Sequence, residues 1–124
     1  MDKQKKQEIL NNLALFTGTE NYHRHMGNII ITDGAKFFAE NCAAFWLLDL
    51  IFSVQTISEV RNQEMQVCKL KMTSESTATV TIEDGNDNVL YTQEIPFTDF
   101  PLNEITLWAN MNDRHRVILL PSEY

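Results

Sequence analysis

Four neighbouring residues, Tyr22, His23, Arg24 and His25, hold the densest chemistry in the chain. In an extended segment the two imidazoles, two positions apart, fall on one side. With His115 or a cysteine added they would approach a three-ligand metal site. No His-Glu-x-x-His or Cys-x-x-Cys spacing accompanies them, so neither a metal nor a cofactor is expected. The carboxylate to set beside them is Asp49. At about 100° per residue of helix it projects onto the stripe of Phe38, Phe45 and Phe52, where a lone carboxylate needs a partner. One reading makes it a hydrogen-bonded acid that holds the loop through His25 or Arg24. A second gathers His23, His25 and Asp49 around a small cleft, as an acid of raised pKa beside a histidine would be in general acid-base catalysis, and a third leaves Asp49 near the surface by curvature of the helix.

A second constellation is acidic. Glu83, Asp84 and Asp87 are the one local cluster among carboxylates that otherwise run evenly along the chain. The loop Asp84-Gly85-Asn86-Asp87-Asn88 fails as a calcium loop, since Val89 stands where an EF-hand needs its glycine and Ile95 where it needs its acid. A hairpin turn explains it. Trp46, Trp108, Phe97 and Phe100 lack the basic rim of a base-stacking site and belong to core or interface packing. The glycines stand too far apart for a phosphate loop, and Cys42 and Cys68 sit on apolar faces where thiols are inert filling.

Composition narrows the class. A net charge of −7 with ten scattered basic residues opposes any sequence-independent grip on nucleic acid; plain solubility accounts for it first, and a face for a basic partner or an imitation of a phosphate backbone is the alternative. Two isolated cysteines make no disulfide framework, and the charged start has no apolar secretion core, so the cytoplasm is the expected location. Ala35 to Val54 carries Lys36, Glu40, Asn41 and Asp49, which reads as a buried helix and not a membrane span.

These residues must be positioned by eight pattern-marked elements, two helices and six strands. Ile9, Leu13 and Phe16 predict an amphipathic helix over residues 2–16, ended by Gly18. Residues 19–28 show no period and read as a polar loop, followed by the short buried strand NIIIT. Thr32 and Asp33 cap a long helix from Gly34 to about Gln55 whose second half is apolar all round, sandwiched between the first helix and the sheet or meeting a second copy of the chain. From residue 64 the period is two, predicting strands over 64–72, 78–82, 89–97, 104–109 and 116–120. The 124 residues thus read as a single α+β domain, 1–124, with two N-terminal helices on one face of a mainly antiparallel four- to five-stranded sheet.

The segments LALFTGTENYHRH, TDGAKFFAENCAAFWLLDLI, IEDGNDNVLYTQEIPFTDFPLNEI and LLPSEY together resemble a family of small bacterial proteins, a domain of unknown function also met on phages and plasmids. That resemblance spans Leu13 to Tyr124 and brings no assigned activity. It implies a mobile-element setting, in which short acidic proteins act by occupying a host protein. The leading expectation is a non-catalytic protein-binding module, a host-directed modulator such as an inhibitor of CRISPR immunity, able to form a homodimer. Its contact residues would be Tyr22, His23, Arg24 and His25, with Glu83, Asp84 and Asp87 as an acidic alternative. A small enzyme or metal-binding protein built on His23, His25 and Asp49 is the second expectation.

Overall fold

Alternating apolar positions build the frame of the molecule, a computed structural model that describes residues 3–124. β3 (Met65–Met72), β4 (Ala78–Glu83), β5 (Val89–Ile95), β6 (Glu104–Asn112) and β7 (His115–Leu119) form where period two predicts them. β1 (Tyr22–Met26) and β2 (Ile29–Thr32) complete a sheet that, among the described residues, has seven strands in the order β1-β2-β7-β6-β3-β4-β5. Neighbours pair antiparallel except β2 and β7, which run parallel. The expected four- to five-stranded sheet is therefore corrected to a mixed one of seven. β1 escapes hydrophobic patterning because its helix-facing side carries imidazoles bonded to carboxylates instead of apolar residues. Gly27, at φ 55°, turns the β1–β2 hairpin.

The two predicted helices become four among the described residues: α1 (Lys3–Leu13), α2 (Asp33–Asn41), α3 (Phe45–Ser53) and the single turn α4 (Ser58–Arg61). The predicted start of the first helix at residue 2 lies outside the described residues, and the helix ends at Leu13, short of Phe16. Thr32 caps α2 as expected, its Oγ1 accepting from the Ala35 N–H at 3.1 Å. The long second helix is a correction, since α2 and α3 are bent by 119° across Cys42 to Ala44. Ala43 takes φ 50°, and the Ala44 N–H donates back to Ala39 O at 2.9 Å. This is a left-handed helix ending that glycine normally supplies. An alanine in that conformation costs about 1–2 kcal/mol, and for the same reason the sequence carries no stop signal there. Ala43→Gly is accordingly expected to raise stability by about 0.5–1 kcal/mol, the relieved strain exceeding the added freedom of the unfolded chain. A urea midpoint lower than that of the parent would contradict this account of the bend.

The core lies between the helices and one face of the sheet. Phe38 of α2 and Leu47, Leu48 and Ile51 of α3 share one buried cluster with Ile31, Leu70, Val80, Ile82, Leu107 and Ile118. Pairing places those sheet residues on a common side, so the apolar second half of the predicted helix is covered within one chain. Among the described residues, no single helix is long and apolar enough to cross a membrane.

Arg116 enters the same side of the sheet and is buried. Its Nη1 donates to the carbonyls of Gln63, Glu64 and Ala109 at 2.9, 3.0 and 3.2 Å, and its Nη2 to that of Arg61 at 3.1 Å. One guanidinium thus ties the α4–β3 connection to the β6–β7 hairpin.

Candidate functional site

Pairing of β1 with β2 sets His23 opposite Ile31, on the side that faces the helices. There His23 Nε2 donates to Asp33 Oδ1 at 2.7 Å, and Asn21 Nδ2 donates to Asp33 Oδ2 at 3.2 Å. The His23 bond, seconded by Asn21, holds the Asp33 carboxyl below its ordinary range. His25 Nε2 donates to Asp49 Oδ1 at 2.7 Å, and its ring stacks on Phe45 with centroids 6.0 Å apart. These two pairs pin the edge strand to the first turn of α2 and to α3.

The predicted partnership of Asp49 with His25 is therefore present, but its apolar setting is not. The Asp49 side chain is 51% exposed. Angles counted from Phe38 do not carry across the bend at Ala43, which swings α3 to a new direction. His23 belongs to Asp33 and not to Asp49, and Tyr22 and Arg24 alternate to the other side of the sheet. Among the described residues, no group of three or more His, Cys, Asp and Glu side chains is placed to hold a metal ion. Burial pushes the Cys42 thiol up to about 11 and the Cys68 thiol to about 12, so neither is a ready nucleophile.

The acidic alternative dissolves as an exposed cluster. Glu83 is buried, with Oε1 accepting from Lys69 Nζ at 3.2 Å and Oε2 from Thr81 Oγ1 at 3.3 Å. Asp84 closes its own turn, accepting from the Asn88 side chain at 2.9 Å and from the Asn86 and Asn88 N–H groups at 2.8 and 3.0 Å; these bonds lower its pKa. Asp87, at φ 68°, is the exposed member.

A different surface gathers more. On the side of the sheet away from the helices, Val117 lies opposite Ile30 and Asn110, and Asn110 opposite Met65. Leu119 likewise faces Trp108 across the β6–β7 pair. Val117 and Leu119 are buried yet stand outside the main core, and they floor a groove of about 490 Å³. Tyr124, following the short helical turn Pro121–Glu123, sets its ring edge-on to Trp108 at 5.2 Å. Tyr22 from the edge strand and Met65 and Met111 from β3 and β6 complete the lining. In the floor, Asn110 Oδ1 is buried without a hydrogen-bond partner. The charged lining residues are two carboxylates, Glu64 and Glu123.

Glu123 is fully engaged. Its Oε1 accepts from Thr32 Oγ1 at 2.6 Å and from the Leu120 N–H at 2.9 Å, and its Oε2 from the Gly34 N–H at 3.1 Å. A carboxylate thereby closes the positive end of α2. Gly34 leaves room for it, since a Cβ there would stand 2.5 Å from Glu123 Oε1.

The sequence pattern of DUF6876, a family of unknown function, matches residues 7–124. The chain belongs to DUF6876. No curated protein and no solved structure matches it. Within this DUF6876 chain, sequence reasoning reached one lining residue of the groove, Tyr22, and passed over Asn110, Val117, Leu119 and Glu123. The signal available was that the solvent-phase positions of β6 and β7 hold Trp108, Val117 and Leu119, which are too apolar for a bare wet face.

Proposed function

We propose that this chain is a non-catalytic protein-binding module that takes its partner on the helix-free side of the sheet. The observation that carries the reading is the preformed groove, with an apolar floor and a buried acceptor that nothing among the described residues satisfies. Binding sites are concave, largely apolar and fitted with few polar groups. The enzyme reading has less support. His23 and His25 are each engaged by a separate carboxylate on the opposite side of the sheet from the groove, and neither cysteine is activated.

In the mobile-element setting that the resemblance implies, the partner is a host protein, for example a component of CRISPR immunity; a second copy of the chain is the alternative. Tyr22 keeps its place among the contact residues, while His23 and His25 become the struts behind them. The test is reconstitution with the purified partner. Tyr22→Ala combined with Met111→Glu is expected to weaken affinity at least about tenfold, as loss of an aromatic contact does. Glu75→Lys, in the distant β3–β4 turn, should leave it unchanged. Equal affinity in all three proteins would remove the groove as the contact surface.

A further inference from the structure

The lining of the groove specifies its occupant. Among the described residues, Asn110 Oδ1 has no donor and is closed off from solvent in its present amide orientation, the exposed Glu64 carboxylate stands on the same rim, and no lysine, arginine or histidine lines the space. Tyr22 and Tyr124 offer aromatic rings, and Met65 offers a thioether. The acidic turn at residues 84–88 borders the same end, since a Cβ on Gly85 would lie 3.7 Å from Met65 Sδ. Three cations of the described strands share this side of the sheet: Lys69 and Lys71 on β3 and Arg24 on the edge strand. Lys69 is tied to Glu83, and Arg24 projects from the edge strand beyond Ile30.

An occupant must therefore donate hydrogen bonds and tolerate an apolar floor, and a positive charge gains from the surrounding carboxylates. A guanidinium meets all three demands. It is planar, carries five donors, stacks on aromatic rings and is less strongly hydrated than an ammonium. From these features, and resting on the reading of the groove as the partner-binding surface, we infer that it receives an arginine side chain from a basic segment of the partner protein. The guanidinium would donate to Glu64, and to Asn110 Oδ1 once that amide turns outward, while its alkyl stem lies along Met65 and Val117.

Retaining an unsatisfied buried acceptor works against stability. If Asn110 is kept for binding, Asn110→Leu should raise the urea midpoint and weaken binding together. An asparagine with a purely structural role would lower the midpoint on replacement.

The probe is acetyl-arginine amide, titrated into the full chain while the Asn110 side-chain amide and the Trp108 indole are followed by NMR. Acetyl-citrulline amide, of the same shape without the charge, and acetyl-leucine amide are the comparisons. The arginine probe should shift both signals and bind about tenfold tighter than the citrulline probe, and Glu64→Gln should remove most of that difference. Equal response to citrulline or leucine would overturn the arginine assignment while leaving the groove as a binding surface. No response to any probe would overturn it as well, and the fate of the binding reading would then rest on the affinity of the Tyr22→Ala, Met111→Glu protein.

Discussion

Arg116→Met is expected to cost about 3 kcal/mol, a large part of the roughly 5–15 kcal/mol that holds a domain folded. The side chain is only 2% exposed, and its donors are divided among four backbone carbonyls on three segments. Hydrogen bonds from a charged donor each contribute roughly 1.5–3 kcal/mol, and burying the ion offsets several kcal/mol of their sum. That burial also lowers the pKa of Arg116 from its ordinary value, while the guanidinium keeps its charge. Methionine would strand the carbonyls of Arg61 and Gln63 beside an apolar chain and leave that of Glu64 with the Met111 N–H alone. Lysine restores the charge but supplies a single head where two nitrogens serve separate carbonyls, so Arg116→Lys should recover roughly half of the loss. Urea denaturation measures both. Hydrogen exchange adds a local readout, because the Met111 N–H donates to Glu64 O at 2.7 Å and should lose protection first. An unchanged midpoint in Arg116→Met would show that the guanidinium only fills space.

Much of this arrangement was legible because sheets and helices repeat with fixed periods. β3, β4 and β5 and their turns followed from alternation and from Asp84-Gly85, and Thr32 announced the start of α2. What failed did so where a polar interaction or a strained residue replaced the usual signal. β1 has no apolar side because His23 and His25 meet Asp33 and Asp49 there. The bend at Ala43 uses alanine where glycine is the recognisable marker. Asp49 was then misplaced by an angular count carried across that bend, although its bond to His25 was anticipated.

The site was less legible than the fold. Arg116 occupies the same phase as Ile118, a signal that could have pointed it at the core, but pattern alone could not show which carbonyls it would reach. Asn110 falls just past the strand that alternation predicts over 104–109, so no pattern singled it out. Only the return of Tyr124 over Trp108 turns that face into a groove and the Asn110 carbonyl into a buried acceptor. Such a closure depends on segments far apart in the chain, and no local spacing records it.

The return of the chain depends in turn on Glu123, and Glu123→Ala is expected to destabilise the protein by about 2–4 kcal/mol. Three donors lose their acceptor at once: the Thr32 hydroxyl and the N–H groups of Gly34 and Leu120. Two of them belong to the start of α2, where a negative group is favoured by the helix dipole as well as by hydrogen bonding. Glutamine keeps an acceptor oxygen but turns an amide donor toward one of these donors, so Glu123→Gln should lose an intermediate amount. Gly34→Ala approaches the same joint from the other side, since its Cβ would also fall 2.8 Å from Leu120 Cδ1. Combining Thr32→Val with Glu123→Ala should cost less than the sum of the two, as expected for partners in one network. Because Tyr124 follows directly, loosening this joint should also free the ring from Trp108 and weaken the response to the arginine probe. Additive losses in the double variant would mean that the carboxylate acts apart from Thr32. Undiminished probe binding in a folded Glu123→Ala protein would mean that the groove keeps its shape without this link.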